Sequence, residues 1–422
     1  MTLNEAVEDE GRLVEGEGRL AEDEELLERS PAQRDLLARV RRLGIEQIGP
    51  AAIRIDREAR YPHEAIDALK AAGLPGLCVP LAEGGGGAGY RGDAELLPLV
   101  LMELASWCSS TSQVFALHNT GVQLVHAMGD AEQRRFFFAE ALSGHLFASF
   151  GSEAGADRMA LSSVLTRAEG GYLLNGRKIF ATGSPGAKWA FWRSVSAEAA
   201  GSQDDRYMMP VVGLSGPGVT VIDDWDGIGQ RGTGSGKVEA ADVFVPDARV
   251  MGGPGAYGAH AAYFAAQFHI NFAAQFVGMA AGALREALTY VRERARPWPG
   301  ASSAAEDPYT LLRIGDMSTR IAGARELVLR AARLLGTHDG GPELRRGIRL
   351  AASQAKIAAT DAALEVTGAV FQVMGARAAT RECGIDRFYR NARTLTLHDP
   401  VDRQRETAGR EELAAAARGT SR

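Results

Sequence analysis

Tyr172-Leu173-Leu174-Asn175-Gly176-Arg177-Lys178-Ile179-Phe180-Ala181-Thr182-Gly183 is the stretch on which the reading of the fold turns. Two β-prone triplets flank Asn175-Gly176. Both centres of a two-residue hairpin turn need positive φ, which Asn and Gly take most readily, so residues 172–174 are predicted to pair with 178–180. Working outward, residues 190–195, 207–214, 219–222 and 238–245 read as further strands separated by turn residues. Together they make a β domain of roughly a hundred residues inside the chain.

On both sides of that domain the texture is helical. Upstream, residues 34–43 and 62–72 carry apolar residues at spacings of three and four, and Gly73 stands where a helix-ending glycine belongs. Gly84-Gly85-Gly86-Gly87 reads as a flexible loop, because the strand-before, helix-after context of a dinucleotide fingerprint is missing. The glycine-rich run 252–258 reads as a hinge that opens a helix. Downstream, residues 260–294 form a long alanine-rich run. Asp307-Pro308 opens a second helix as cap and first-turn proline, and Pro342 opens a third that runs to Gly375. Within the third, Ile348, Ala355, Ala358, Ala362, Val366, Ala369 and Val373 recur at helical spacing. Helices apolar on more than one face are buried from several sides, as in an antiparallel bundle that also packs on another subunit.

The predicted fold is therefore mainly α with a central β domain. Its segments are an acidic flexible tail at 1–30, an N-terminal helical domain at 31–144, a middle β domain at 145–256 and a C-terminal helical bundle at 257–422.

Composition narrows the function. With 422 residues, 45% of them hydrophobic, the chain can bury a large core in two or three domains. Lys and Arg number 47 against 53 Asp and Glu, a net charge of −6 with no strongly basic face, which argues against nucleic acid as a partner. The acidic opening lacks the basic start and apolar run of a secretory signal, and no apolar run approaches the roughly 18 residues of a membrane span. Cys78, Cys108 and Cys383 are odd in number and far apart, which fits reduced thiols in a cytoplasmic protein and neither a disulfide framework nor a zinc site.

Four segments carry a resemblance: Cys108-Ser109-Ser110-Thr111-Ser112 with Leu117-His118-Asn119; Ser149-Phe150-Gly151-Ser152-Glu153-Ala154-Gly155-Ala156; the 174–183 run; and Gln372-Val373-Met374-Gly375 with Ile385-Asp386-Arg387-Phe388-Tyr389-Arg390-Asn391-Ala392-Arg393. In that order they resemble the acyl-CoA dehydrogenase superfamily. The resemblance implies an N-terminal helical domain, a middle β-barrel-like domain and a C-terminal four-helix bundle. Arg294-Ala295-Arg296-Pro297-Trp298, Glu306-Asp307-Pro308-Tyr309 and Asn391-Ala392-Arg393-Thr394-Leu395-Thr396-Leu397-His398-Asp399-Pro400-Val401 look like its dibenzothiophene monooxygenase branch. That branch implies a two-component monooxygenase that takes reduced FMN from a separate flavin reductase and uses O2 to oxygenate a small organic molecule at sulfur, nitrogen or carbon. The bundle implies a homo-oligomer of the tetrameric family type.

The resemblance also assigns roles. His398 is the expected hydrogen-bond donor or proton relay beside the flavin, since an imidazole can exchange a proton near neutral pH. Asp399 orients the turn, and His118 faces the substrate, unless it is a buried helix histidine satisfied by backbone. Ala181, Thr182 and Gly183 lie against the isoalloxazine, with a hydroxyl and backbone amides for N5 and O4. Ser149 and Ser152 bond the pyrimidine side.

FAD-binding dehydrogenases carry a glycine run after the bundle's glutamine–valine pair. Here Gly375 is followed by Ala376-Arg377-Ala378, whose side chains fill that space, while Arg377 and Arg296 offer forks suited to one phosphate, so FMN is expected over FAD. The alternative is an acyl-CoA dehydrogenase with FAD and with Asp399 as the base. A third reading is a scaffold that kept only the fold.

Overall fold

A capping box sets the first helix. The Ser30 hydroxyl accepts the Gln33 N–H at 3.2 Å and the Gln33 side chain accepts the Ser30 N–H at 2.9 Å, with Pro31 in the first turn. The computed structural model describes residues 29–155, 160–297 and 299–419. The acidic tail up to residue 28, Ala156 and Trp298 lie outside the described residues. Helix α1 (Pro31–Leu43) leads through a π turn into α2 (Gly49–Glu58), then α3 (His63–Ala71), α4 (Leu96–Trp107), α5 (Ser109–Met128) and α6 (Ala131–Leu142). The loop at residues 84–87 is tied down and not loose. Its Gly85, Gly86 and Gly87 amides donate to the carbonyls of Pro80, Gly76 and Val79.

Nine strands follow among the described residues: β1 (Phe147–Phe150), β2 (Val164–Ala168), β3 (Gly171–Lys178), β4 (Trp189–Trp192), β5 (Ser194–Ser196), β6 (Tyr207–Met208), β7 (Val211–Gly213), β8 (Val219–Ile222) and β9 (Lys237–Pro246). They form a three-stranded sheet, β1-β4-β7, and a six-stranded sheet, β6-β5-β2-β3-β9-β8. The two share one apolar core containing Phe150, Trp192 and Val212 from the first and Leu165, Leu174 and Val238 from the second.

The hairpin expected across Asn175-Gly176 does not form. β3 runs through both residues, and its hairpin partner is β2, joined across Glu169-Gly170 with Gly170 at φ 71°. Asn-Gly serves a bulge instead. The register against β9 shifts between Leu174 and Gly176, Asp242 takes φ 48°, and Asn175 and Asp242 exchange two hydrogen bonds of 2.9 Å. Gly176 is needed for space, since a Cβ there would stand 2.6 Å from the Cβ of Ser163.

The C-terminal helices are α7 (Gly258–Glu293), α8 (Pro308–Gly336), α9 (Arg346–Met374), α10 (Asp386–Leu395) and α11 (Val401–Gly419). Asp307 caps α8 as expected, accepting the Thr310 N–H at 2.8 Å. α9 begins at Arg346 and not at Pro342, because Arg345 holds ψ at 143°, outside the helical range. α7, α8, α9 and α11 form the bundle. α11 returns antiparallel along α9: Gln404 meets Ser353 at 3.0 Å, Arg405 meets Asp361 at 2.6 Å, and Glu411 meets Arg349 at 2.9 Å. α7 and α9 run parallel. His269 and Lys356 reach one carboxylate near the middle, and Glu286 late in α7 pairs with Arg387 in the first turn of α10, the helix that follows α9. The C-terminal ends of α7 and α9 therefore share one end of the bundle. By length and composition α9 could cross a membrane, but half of its apolar window is buried inside the protein. α5, enclosed by α4, α6, α7 and β1, is buried at every position from Ser109 to Val125.

Candidate functional site

The turn after α10 separates two neighbouring side chains. His398 is anchored by its N–H to the Leu395 carbonyl at 3.2 Å. Its exposed ring packs on two phenylalanines one turn apart on α7, 5.0 Å from the Phe268 centroid and 4.7 Å from that of Phe272. Asp399 turns instead to charged partners: His269 Nε2 at 2.9 Å, the Gln404 amide at 3.1 Å and Lys356 Nζ at 3.6 Å. Burial works to raise its pKa, but the His269 bond, the Lys356 charge and the Gln404 amide prevail and hold the carboxyl well below the usual carboxylate range. Lys356 is 1% exposed, its Nζ has no hydrogen-bond partner among the described residues, and burial lowers its pKa against the pull of Asp399.

His118 takes the backbone-satisfied alternative, which corrects its assignment to the substrate side. Its Nδ1 accepts the Phe147 N–H at 3.1 Å, so Nε2 carries the proton and donates to the Pro75 carbonyl at 2.8 Å. The ring is fully buried. Burial pushes its pKa down to about 4, with the Pro75 bond opposing. It is a neutral clamp between the turn at Leu74–Gly76 and β1.

The loop after β1 and the segment after β3 meet where the Ser152 carbonyl accepts the Ile179 N–H at 3.0 Å. Ser149 is half-buried and Ser152 is exposed. Glu153 anchors the loop by accepting bonds from Ser162, Ser163 and the buried Lys178. Burial works to raise the Glu153 pKa, but those bonds bring it down to about 2, while burial pushes Lys178 down to about 8.

The backbone amides expected for the flavin are already engaged: those of Ala181, Thr182 and Gly183 donate to the carbonyls of Gly236, Phe180 and Thr233. What remains at this edge is the Thr182 hydroxyl, 2.7 Å from Ser235 Oγ, itself 2.6 Å from Thr233 Oγ1. The chain of bonds continues from Thr233 to the Gln230 carbonyl, and the Gln230 N–H donates to Asn391 on α10 at 2.6 Å. Gln230 also donates to Ser109 at 2.6 Å. One hydrogen-bonded path thus ties Thr182 to the helix that carries the His398 turn. Beside it Phe180 is 59% exposed at φ 53°, edge-on to Trp225 at 6.1 Å. An exposed phenylalanine held in the left-handed region is a feature of constrained sites.

Arg296 follows α7 and Arg377 sits in the 3-10 turn after α9, so both lie at the same end of the bundle. Both are exposed, and neither makes an ion pair or side-chain hydrogen bond among the described residues. Gly375 ends α9 at φ 70° and ψ −162°, a conformation open to glycine; Ala376 is exposed beside it. The chain therefore brings His398 beside Asp399 and the two loops beside Thr182, leaves Arg296 and Arg377 at one end of the bundle, and spends both ring nitrogens of His118 on backbone.

Sequence reasoning missed His269, Lys356 and Gln404. A signal was present: the chain has five lysines among its 47 Lys and Arg, and two of them, Lys178 and Lys356, are buried. A lysine retained in an arginine-rich chain marks a place where a compact ammonium fits and a planar fork does not.

Three family models match in chain order: the acyl-CoA dehydrogenase N-terminal domain at residues 30–145, its middle domain at 149–243 and its C-terminal domain at 270–403. Dibenzothiophene monooxygenase from Rhodococcus qingshengii is 32% identical over 91% of this chain and 94% of its own. The probable FMNH2-dependent monooxygenase SfnC of Pseudomonas putida is 31% identical over 84% of this chain and 89% of its own. The crystal structure of FMN-bound TdsC from Paenibacillus sp. A11-2 superimposes with a TM-score of 0.83 at 28% identity, covering 90% of this chain and 97% of that one.

Proposed function

Because this chain belongs to the acyl-CoA dehydrogenase family and is similar over most of its length to flavin monooxygenases of that family, we infer that it is an FMNH2-dependent monooxygenase that oxygenates a small organic substrate with O2. The observation that carries the choice within the family is the environment of Asp399. A dehydrogenase needs a carboxylate free to take a proton from carbon. Asp399 is spent on His269, Gln404 and Lys356, and its depressed pKa makes it a poor base. Its neighbour His398 is exposed on an aromatic shelf, where an imidazole can donate or relay a proton.

The residues present fit FMN. The unpartnered forks of Arg296 and Arg377 suit a single terminal phosphate, and Ala376 with the buried Ala378 occupies the turn where FAD-binding relatives carry glycine. When bound, reduced FMN supplies the electrons that activate oxygen. The protein's part is to hold and dry the site. Ser149, Ser152 and the Thr182 hydroxyl would hold the ring edge, with Ala181 and Gly183 fixing the Thr182 backbone. Phe180, Phe268 and Phe272 exclude water. His398 holds a proton at the imidazole, and Asp399 fixes the turn that presents it.

The partner this chemistry requires is a flavin reductase, since the chain offers no nicotinamide fingerprint of its own. A homotetramer is the proposed assembly. It is supported by the exposed apolar positions Tyr309 (69%), Leu311 (52%) and Leu312 (63%) on α8, which a second copy would cover. A cytoplasmic setting is supported by three unpaired cysteines.

Anaerobic titration with reduced FMN, then turnover with a generic reductase under labelled O2, tests the function. Tight FMNH2 binding and incorporation of one labelled oxygen into an organosulfur or amine substrate are expected. Anaerobic bleaching of bound oxidised flavin by an acyl-CoA would sink the reading.

A further inference from the structure

One cation beside the proposed flavin loop has no counter-ion among the described residues. Arg193 follows β4, and its N–H bonds the Phe150 carbonyl at 3.1 Å. Alternation along β4 puts its side chain on the face of Phe191, the residue opposite Ser149 in β1. The side chain lies against the loop: a Cβ at Gly151 would stand 3.3 Å from Arg193 Cδ, Nε and Cζ. Its Cζ is 5.8 Å from the Tyr257 ring centroid, and Tyr257 stacks on Tyr207 at 5.1 Å and 23°.

The guanidinium is partly buried, and among the described residues nothing accepts a hydrogen bond or forms an ion pair with it. Burial works to lower its pKa, and the neighbouring Tyr207 and Tyr257 oxygens work to raise it. The nearby Lys178 charge is already answered by Glu153, and its Nζ also donates to the Arg193 carbonyl at 2.5 Å. A second unspent group stands in the same cluster: the Tyr207 hydroxyl is buried and has no partner among the described residues. A planar fork with five N–H donors and an unpaired phenol are the donor set for an oxyanion, and leaving both unpaired costs free energy that such a ligand returns.

We propose that Arg193, with the Tyr207 hydroxyl, forms an anion subsite that takes the carboxylate, sulfinate or phosphate of a small molecule bound against the Ser149–Gly151 edge. The occupant is an anionic substrate; the phosphate of FMN, assigned above to Arg296 and Arg377, shares this chemistry and is the competing occupant that the test distinguishes. The substrate source rests on the monooxygenase reading; anion binding as such does not.

Calorimetric titration of the full chain without turnover separates these cases, with methanesulfinate, benzoate, FMN and riboflavin as probes. For an anionic substrate, Arg193→Met lowers affinity for methanesulfinate or benzoate at least tenfold and leaves FMN unchanged. For the flavin phosphate, it lowers FMN affinity tenfold and leaves riboflavin unchanged. Tyr207→Phe weakens the same probe severalfold, and this variant decides the matter if Arg193→Met does not fold. Unchanged affinities for all four probes in folded variants would overturn the subsite and leave Arg193 as a stacking partner of Tyr257.

Discussion

Lys356 Nζ lies 3.6 Å from the carboxylate of Asp399 inside the bundle, yet only the aspartate has hydrogen bonds. The aspartate keeps His269 and Gln404 if the lysine goes, whereas the lysine loses its one counter-ion if the aspartate goes. Asp399→Asn is expected to destabilise the protein by about 3–5 kcal/mol, the cost of stranding a buried charge. Lys356→Met should cost less, and the double variant should recover part of the loss. Urea unfolding checks the order, and an Asp399→Asn variant as stable as the parent would contradict it. The pH dependence follows from the depressed carboxyl. The pair's contribution is complete above the unfolded-state pKa of ~3.9 and is lost as pH falls through the lower folded value.

His118 is expected to matter for stability and not for chemistry. Replacing it with alanine removes two buried hydrogen bonds and leaves a cavity, a loss of roughly 2–4 kcal/mol. Turnover of the folded variant should stay within about threefold of the parent, because a neutral clamp contributes little to catalysis directly. Its folded pKa of about 4 lies below the ordinary 6.5, so the unfolded chain binds more protons between those values. Stability from this group is present above pH ~6.5 and falls by up to ~3 kcal/mol as pH drops through about 4. The alanine variant should lack that slope in denaturation curves taken between those pH values.

His398→Asn should leave folding nearly intact, because the ring is exposed; a change within about 0.5 kcal/mol is expected. Loss of the proton relay should cut product formation by about a hundredfold or more. Oxygen uptake should persist as hydrogen peroxide, so the ratio of product to oxygen consumed is the measurement. A variant that couples as well as the parent would remove His398 from the site.

Arg296→Ala and Arg377→Ala test the phosphate end. A charge-assisted bond of about 1.5–3 kcal/mol predicts a roughly 10–100-fold weaker hold on FMN for each variant, with riboflavin affinity unchanged. Fluorescence titration of each flavin reads both numbers. Equal losses for FMN and riboflavin would show that the arginines act on folding or assembly instead.

Elements that announce themselves locally are legible in the sequence. Asp307-Pro308 carries its cap and its fixed φ in two adjacent residues, and 219–222 is a strand because its β-branched side chains fit a pleated surface. Asn175-Gly176 misled because a bulge and a hairpin turn draw on the same residue types. What separates them is the partner strand, and Asp242 lies 67 residues away. The same distance problem hid the Asp399 cluster: His269 stands 130 residues before it, on a different helix, and nothing near either residue predicts their meeting. His398, Thr182 and Arg377 were legible only through short motifs, which give a position but not the occupied amides around Thr182.

The scarcity of lysine has a practical side. Lys70, Lys188 and Lys237 have 36–41% of their side-chain surface in solvent, whereas Lys178 and Lys356 have at most 1%. An amine-directed label should therefore mark three lysines at once and two only when the fold opens. One of the silent pair reports on the sheet domain and the other on the helical bundle. Timed labelling read by peptide mass would thus follow the loosening of each half separately, with reporters the chain already carries.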